Sequence, residues 1–315
     1  MFLDFAPMEG VTYAPFRNAH RAVFSGVDRY FAPFVGANQT LHFKRGEKRD
    51  IDPAANDTLT MIPQVMTNKP DQFLWAVGEM KKRGYNQVNL NMGCPSRTVV
   101  TKNKGAGMLN DPDFLDRFWN EFWELFEASD VKDMSVTVKL RPGIQDMSEM
   151  PEIAKIVDRY PFDEVTLHPR LQKAGYGGVP DMEVFRTFGE LCHHPLIYNG
   201  DVKTVEDIQK IVDNFPNVVG IMAGRGLIAD PALFRQYKGG QKATAEEIRK
   251  FHELTLNSWL EYLKGDENAA VRKMKEVWGF AEMFRKDHEK EMKKIRKARS
   301  IGEYRDAANR IYDLM

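Results

Sequence analysis

The feature that most constrains the fold is a regular alternation, over the first 240 residues, of short apolar runs with longer helix-like segments. The apolar runs end on glycine, proline or polar residues, which is typical of strands. Strands that alternate with helices favour a parallel sheet, and eight is the strand number of the (β/α)8 TIM barrel. The eight predicted strands span residues 2–6, 29–35, 59–65, 87–91, 135–140, 164–168, 196–198 and 218–222.

Helix-start signals precede three of the segments between these strands. Segment 70–83 begins with proline, 111–128 with aspartate and proline, and 204–215 with threonine followed by acidic residues. An open, doubly wound sheet is the alternative, and it usually has a glycine-rich dinucleotide turn after its first strand. The residues at 7–10 read PMEG, which is not such a turn, so the barrel is favoured.

The composition of the sequence changes after residue 240. Residues 244–315 contain no proline and three glycines, and Thr244 with Glu247 forms a capping-box pattern at a helix start. We therefore predict a barrel domain at 1–240 and a domain at 241–315, an all-helical bundle of about four helices. Apolar residues at helical spacing predict part of the bundle core: Phe280, Phe284, His288, Met292 and Ile295.

Composition narrows the class of protein. Hydrophobic residues make up 43% of the chain and no apolar run reaches the roughly 18 residues of a membrane span. The N-terminus lacks the basic region of a signal peptide, and two cysteines make no disulfide framework, so we expect a cytoplasmic protein. The histidines show no metal-ligand spacing, so no metal is expected, and a monomer is the default.

Chemically active residues follow most of the predicted strands, where a barrel carries its active site. We expect these side chains to converge on one rim: Pro7, Met8, Glu9, Gln64, Asn91, Cys94, Lys139, Arg141, His168, Arg170, Asn199, Gly200, Asp201, Gly224 and Arg225. The small residues after strands seven and eight allow close approach of an oxyanion, which Arg225 can pair with. A phosphate site without a dinucleotide turn indicates a mononucleotide cofactor, whose ring Gln64 and Lys139 could contact.

The cysteine at the end of the fourth strand is the sharpest single signal. Residues 87–91 alternate like a strand, and Cys94 then lies on a Gly-Cys-Pro turn, where a side chain is easily presented to a ligand. A thiol with a pKa of about 8.5 is mostly protonated at neutral pH and can donate a proton. A buried structural thiol is equally compatible with the context of Cys94 alone, whereas Cys192 is expected to be a core residue.

Several motifs together resemble the bacterial tRNA-dihydrouridine synthases. They are residues 8–11 (MEGV), 91–95 (NMGCP) followed by Val99, 105–107 (GAG), 138–141 (VKLR), His168 with Arg170 and Tyr176, 199–201 (NGD) and 224–226 (GRG). Pro169 departs from the family pattern, in which glycine is expected. The resemblance implies a barrel that holds FMN and reduces selected D-loop uridines of tRNA, with NADPH as the electron donor.

By that resemblance, the residues divide into roles. Cys94 is the implied proton donor to uracil C5, while hydride from reduced FMN goes to C6. The implied FMN contacts are Pro7, Met8, Glu9, Gln64, Lys139, His168, Asn199, Gly200, Asp201, Gly224 and Arg225. The expected contacts with the substrate or the tRNA are Asn91, Arg141, Arg170, Tyr176, Lys102, Lys104, Arg272, Lys275, Lys293 and Arg296.

Charge bears on the tRNA hypothesis. The chain as a whole has 45 basic and 45 acidic residues, but residues 241–315 carry 17 basic and 14 acidic ones. A basic run in the tail fits either a solvated helix face or phosphate contacts: Arg285, Lys286, Lys290, Lys293, Lys294, Arg296, Lys297 and Arg299. Two other functions remain open at this point, a flavoprotein that acts on a free pyrimidine and an RNA-binding module without catalysis.

Overall fold

The computed structural model describes residues 1–281 and 288–315 of the chain. Its sheet has ten strand segments, and every pairing between them is parallel. The segments are β1 (Phe2–Phe5), β2 (Arg29–Phe31), β3 (Val35–Gly36), β4 (Met61–Ile62), β5 (Gln64–Met66), β6 (Gln87–Met92), β7 (Ser135–Leu140), β8 (Glu164–Leu167), β9 (Leu196–Asn199) and β10 (Gly220–Ala223).

The ten segments occupy the eight predicted strand positions and close into a barrel. Segments β2 and β3 belong to one predicted strand and β4 and β5 to another, each interrupted at a proline, Pro33 or Pro63. Segment β2 pairs with β4 and β3 pairs with β5, while β5 pairs onward with β6 and β1 joins β2 to β10. Proline has no N–H to give to a sheet ladder, which accounts for the two breaks.

Helices fill the intervals between the strands. The predicted helices at 70–83, 111–128 and 204–215 are confirmed, and Thr204 caps the last one by accepting the Asp207 N–H at 3.2 Å. The helices of the barrel region are α1 (Ala14–Val23), α2 (Arg45–Asp50), α3 (Pro70–Lys82), α4 (Arg97–Val100), α5 (Pro112–Glu127), α6 (Met150–Asp158), α7 (Met182–Leu191), α8 (Val205–Asn214), α9 (Arg225–Ala229) and α10 (Leu233–Tyr237).

The C-terminal region of the described chain is helical. It contains α11 (Ala245–Tyr262), α12 (Glu267–Phe280), α13 (Glu289–Lys297) and α14 (Ile301–Tyr312). The predicted capping box is present, since the Thr244 hydroxyl accepts the Glu247 N–H at 3.2 Å and Glu247 accepts the Thr244 N–H at 2.9 Å. Of the predicted core stripe, Met292 and Ile295 are buried and Phe280 and His288 are half-buried, whereas Phe284 lies outside the described residues. Arg285 and Lys286 of the predicted basic run also lie outside them.

The helical region packs against the barrel through a shared apolar core. Phe251 of α11 lies edge-on to Phe16 of α1, with the ring centroids 5.2 Å apart, and Trp259 meets Tyr13 in the same way at 6.0 Å. Lys273 of α12 donates to the Gly10 carbonyl, 2.8 Å away, and so ties the helices to the loop after β1. The division into domains at residue 240 stays a prediction, and this continuous core joins the two parts firmly.

None of the helices within 1–281 and 288–315 is long and apolar enough to cross a bilayer. Cys192 is buried, as expected for a core cysteine, and Cys94 is half-buried. The two cysteines therefore differ in exposure, as their sequence contexts predict.

Candidate active site

A cavity of about 340 Å³ opens at the carboxyl ends of the barrel strands, within the range of roughly 300–1,000 Å³ typical of small-molecule sites. It is the place where the sequence predicts the active site. Fifteen of the predicted site residues line it: Pro7, Met8, Glu9, Gln64, Asn91, Cys94, Lys139, Arg141, His168, Tyr176, Asn199, Gly200, Asp201, Gly224 and Arg225.

The turn that carries Cys94 is held by the side chain of Asn91 at the end of β6. Asn91 Oδ1 accepts the backbone N–H groups of Gly93 and Cys94 at 3.1 and 2.9 Å. Its amide nitrogen donates to Gln64 Oε1 at 2.7 Å, and Gln64 donates to Asn89 Oδ1 at 2.7 Å. This chain of amides fixes the Cys94 turn against the barrel floor, so Asn91 has a positioning role whatever else it touches.

Glycines 105 and 107 let a second loop close over the cysteine turn. Gly105 has a φ of +55°, and a Cβ there would lie 3.0 Å from the Cβ of Cys94 and 2.9 Å from Val99. The N–H of Ala106 donates to the Cys94 carbonyl at 3.1 Å. Only glycine combines this backbone conformation with this approach, which explains the GAG motif and its distance from the cysteine.

The Cys94 thiol is held in its neutral form. Burial raises the pKa of Cys94, and nearby Glu9 adds to the effect, while Lys139 and Arg141 oppose it. A neutral thiol keeps the proton that a proton donor requires. The same two cations stabilise the thiolate that remains after the proton has left.

Lys139, near the end of β7, lines the cavity and has no counterion among the described residues. No hydrogen bond or ion pair joins its ammonium group to another described residue, although the group is half-buried. Burial and the neighbouring Arg141 lower the pKa of Lys139 to about 7. An amine in this state gains its charge fully only when an anionic or strongly accepting ligand arrives.

His168, which follows β8, is neutral and has one defined tautomer. Burial and the cations around it, Lys139 and Arg141 first among them, lower the pKa of His168 well below its usual value. Arg170 Nη1 lies 3.3 Å from His168 Nε2. A guanidinium only donates, so Nε2 must accept and the ring proton lies on Nδ1, which leaves an N–H donor for a ligand.

Asp201, after β9, organises two arginines at one side of the cavity. It pairs with Arg170 at 2.8 Å and with Arg225, whose guanidinium lies 4.7 Å from the ring centroid of Tyr176. The φ of Asp201 is +30°, an uncommon conformation for a residue other than glycine and one that Asp tolerates better than most. The arrangement places Arg225 and Tyr176 at the cavity wall, while Arg170 is buried behind it.

The main role of Arg141 is structural, because its guanidinium holds backbone carbonyl groups together. Its guanidinium donates to the carbonyls of Gly93, Arg170, Leu171 and Gly175 at 2.8–3.0 Å, and its side chain is buried. These bonds tie the Cys94 turn to the loop that carries Tyr176. They use four of the five guanidinium N–H groups, which leaves one Nη2–H for the direct substrate contact that the sequence predicts.

The loops after β9 and β10 form a cradle suited to an anion. Asn199 donates to the Met222 carbonyl at 2.8 Å, and a Cβ at Gly226 would lie 1.8 Å from the Val202 carbonyl oxygen, so only glycine allows the approach. The cavity lining contains two acidic and four basic side chains, Glu9 and Asp201 against Lys139, Arg141, Lys203 and Arg225. This excess and the lone ammonium of Lys139 fit a flavin mononucleotide, which brings a phosphate and an acceptor-rich ring.

Two aromatic residues of the cavity are missed by sequence reasoning. Phe34 lies between β2 and β3, where the sequence predicts an uninterrupted strand, and Phe280 ends α12 in the helical region. Pro33, which breaks the strand, is the available signal for Phe34. Nothing in the local sequence indicates that Phe280 reaches a cavity of the barrel.

Asn91, Arg141 and Tyr176 line this cavity, whereas the predicted lysine contacts and the arginines of the helical region lie outside it. Lys102, Arg272, Lys293 and Arg296 are exposed and Lys275 is half-buried. Lys104 is partly covered, with its ammonium 3.5 Å from the Ala37 carbonyl, and burial lowers its pKa. On α13, Lys290, Lys293, Arg296 and Lys297 are exposed whereas Met292 and Ile295 are buried, so the solvent-facing side of the helix is mainly basic, with exposed Glu289 among its residues.

Comparison with known proteins adds an independent observation. The family model described as dihydrouridine synthase (Dus) matches residues 4–310. The tRNA-dihydrouridine synthase B of Pasteurella multocida (strain Pm70) is 28% identical over 233 residues, covering 73% of this chain and 67% of that protein. A probable tRNA-dihydrouridine synthase of Staphylococcus aureus (strain COL) is 25% identical over 293 residues, covering 90% and 84%.

Two solved structures show a similar fold. Morphinone reductase aligns with a TM-score of 0.55 at 12% identity, covering 79% of this chain and 88% of that one. The old yellow enzyme homologue from Zymomonas mobilis (NCR) gives 0.55 at 12% identity, covering 78% and 91%. At this level of identity the likeness establishes the barrel fold alone.

Proposed function

This chain belongs to the dihydrouridine synthase family, and we propose that it reduces selected uridines of tRNA to 5,6-dihydrouridine with FMN bound in the barrel and NADPH as the electron donor. The observation that carries the proposal is the convergence of Cys94, Lys139 and His168 on one cavity that also presents an anion cradle. These residues come from three different strand ends, and the barrel brings them together.

The phosphate and the ring of the cofactor would lie on two different sides of the cavity. Arg225 and the small residues after β9 and β10 would hold the phosphate, while Lys139 and His168 Nδ1–H would donate to polar atoms of the ring. When bound, the reduced flavin supplies the hydride that adds to uracil C6. The protein then has to hold the base in register and to provide a proton.

Cys94 is the group suited to provide that proton. Its Sγ gives the proton to C5 of the uracil, and the thiolate that remains is stabilised by the charges of Lys139 and Arg141. Asn91 and Arg141 keep the cysteine turn in place through backbone hydrogen bonds and so set the position of the sulfur. A proton donor positioned in this way contributes about 10²–10⁴ to the rate.

The tRNA must deliver one unstacked base to the cavity, because a uridine within a stack cannot reach it. Basic residues on α13 provide phosphate contacts from the helical region. Phe280, from the same region, lines the cavity and offers a ring against which a base can stack. The helices and the barrel would thus bind the body of the tRNA and the extruded base respectively.

The deciding experiment is mass spectrometry of tRNA from cells without this gene, with and without the restored protein. We expect dihydrouridine to disappear at one or a few D-loop positions and to return on complementation. The purified protein should contain stoichiometric FMN, and after reduction by NADPH this flavin should be reoxidised by tRNA from the deletion cells. A protein that carries flavin but reduces only free pyrimidines, or one that binds tRNA without flavin, would overturn the proposal.

A further inference from the structure

We propose that Asp158, Cys192 and His194 bind a divalent transition-metal ion of the zinc class at the end of the barrel opposite the catalytic cavity. One ligand atom from each residue lies within 4.8 Å of the other two. A carboxylate, a thiol and an imidazole are the three ligand types that zinc takes in proteins. The inference does not depend on the proposed reaction, since none of the three residues lines the catalytic cavity.

One ring nitrogen of His194 is already bonded to the protein, and the other remains available as a ligand. Its Nε2 lies 3.2 Å from the Val157 carbonyl, and its ring lies edge-on to Phe162 with the centroids 5.8 Å apart. A carbonyl oxygen only accepts, so in the neutral ring the proton is on Nε2 and the lone pair of Nδ1 is free. A histidine that ligates a metal commonly uses its second nitrogen in this way.

The carboxylate and the thiol come from the ends of two neighbouring helices. Asp158 is the last residue of α6, and Cys192 directly follows α7. The carbonyl groups at helix C-termini carry partial negative charge, so both helix ends favour a cation between them. Asp158 is also fixed by the backbone N–H of His193, which donates to Oδ1 at 2.6 Å.

Three protein ligands leave one tetrahedral position for water. The exposed ring of His193 contacts the Asp158 carboxylate at 3.1 Å and is not needed as a ligand. Binding forms bonds from the metal to the sulfur, to the imidazole nitrogen and to a carboxylate oxygen. The Cys192 thiol releases its proton to solvent as the metal–sulfur bond forms.

The location points to a structural function for the ion. The helices of a barrel run opposite to its strands, so the ends of α6 and α7 lie beneath the amino ends of β8 and β9. Residues at this face of a barrel serve stability, whereas the carboxyl face carries chemistry. The metal would clamp α6 to the connection between α7 and β9.

The test uses FMN-loaded, full-length protein without a histidine tag, in a Cys94→Ser background so that Cys192 is the only thiol. Titration with Zn²⁺ in a calorimeter should give one site per chain and release of a proton. Titration with Co²⁺, recorded as a difference spectrum against the metal-free holoprotein, should add a thiolate-to-cobalt charge-transfer band. Both signals should be present without any tRNA or NADPH.

Adding Cys192→Ser or His194→Gln should each weaken Zn²⁺ binding by more than about 100-fold, the upper range for loss of a residue that only supports a ligand through a hydrogen bond. His42→Gln changes an exposed histidine outside the site and should leave the affinity unchanged. His193→Gln, which removes a contact to the Asp158 carboxylate, should weaken binding by about 10–100-fold at most. Retained flavin and an unchanged melting curve without metal show that each variant is folded. Absence of stoichiometric binding in the background protein, or binding that survives Cys192→Ser with its charge-transfer band, would refute the site.

Discussion

The two ends of the barrel differ in how their charged side chains are paired. At the amino end, Arg29 is bonded to Asp4 at 2.8 Å and to Glu164 at 2.9 Å, and it also covers the ring of Phe2 at 3.9 Å. At the carboxyl end, Lys139 has no counterion among the described residues, and basic side chains outnumber acidic ones in the cavity. Charges that are paired inside the protein stabilise the fold, and charges left unpaired indicate where an anionic ligand belongs.

The difference has an energetic cause. A buried charge without a partner costs several kcal/mol, and a protein retains one only if a ligand compensates it or if the group becomes neutral. Lys139 follows the second course, since burial lowers its pKa to about 7. The cavity can therefore be stable without a ligand and become strongly attractive to an anion at the moment of binding.

Cys94→Ala should cause the largest loss of activity, and the loss should be confined to the reaction at the carboxyl end of the barrel. We expect dihydrouridine formation to fall by about 10²–10⁴-fold, because the proton donor to C5 is lost. Flavin content and the free energy of unfolding should stay close to those of the unchanged protein, and so should flavin reduction by NADPH. Cys192→Ala is the matched control and should retain turnover per folded molecule. Full turnover in Cys94→Ala would remove the thiol from the mechanism.

Arg29→Met, at the amino end of the barrel, should lower the stability of the fold and leave the activity unchanged. It leaves buried Asp4 and half-buried Glu164 side by side without a cation. We expect unfolding to cost about 3–5 kcal/mol less, with turnover per folded molecule unchanged. Urea unfolding followed by circular dichroism measures the change. A double variant that adds Asp4→Asn should regain part of the loss, whereas additive losses would show that the pairing is not what matters.

The same cluster predicts a pH dependence. Burial and the nearby Glu164 raise the pKa of Asp4 to about 6, above its ordinary value of 3.8, despite Arg29. The native state therefore holds this proton more tightly than the unfolded chain, and stability falls as the pH rises through that window. Removal of Arg29 should deepen the fall, so Arg29→Met should be more destabilising at neutral pH than below the pKa of Asp4.

Lys139→Met should weaken FMN binding by roughly 10–150-fold, the value of about 1.5–3 kcal/mol for a hydrogen bond to a charged group. Above a pH of about 7 the free protein must take up a proton at Lys139 when FMN binds, so affinity should fall as the pH rises. Calorimetry in buffers of different ionisation enthalpy should detect this proton. Lys132→Met, an exposed change, should alter neither quantity, and proton uptake that persists in Lys139→Met would assign it elsewhere.

The smallest and most distributed effect is expected on α13. Neutralising its basic residues should lower the slope of log affinity for tRNA against log salt by about 1 for each phosphate that the helix no longer neutralises. The variant replaces Lys293, Lys294, Arg296 and Lys297 with uncharged residues. Its charge-matched control places the same uncharged residues at Lys82, Lys132, Lys155 and Lys210. Equal slopes for the two variants would mean that the face of α13 serves solubility only.

Strand prediction from the sequence succeeds where apolar runs are uninterrupted. The predicted strand at 135–140 is β7 without change, and seven further strand positions are filled in the predicted order. The predicted strands at 29–35 and 59–65 are each divided in two, because Pro33 and Pro63 cannot donate to the ladder. Both prolines are visible in the sequence, but the apolar runs continue across them and hide the breaks.

By itself, the sequence determined the order of strands and helices, the chemistry at the strand ends and the turn that exposes Cys94, because these depend on residues close together along the chain. Only the tertiary structure decided that Arg141 donates to backbone carbonyls and that Lys139 lacks a counterion among the described residues. It also decided that Phe280 enters the cavity and that Asp158 lies close to Cys192 and His194. Pairing and burial are set by distances through space, and hydrogen bonds and charges act over a few ångströms whatever the separation in sequence.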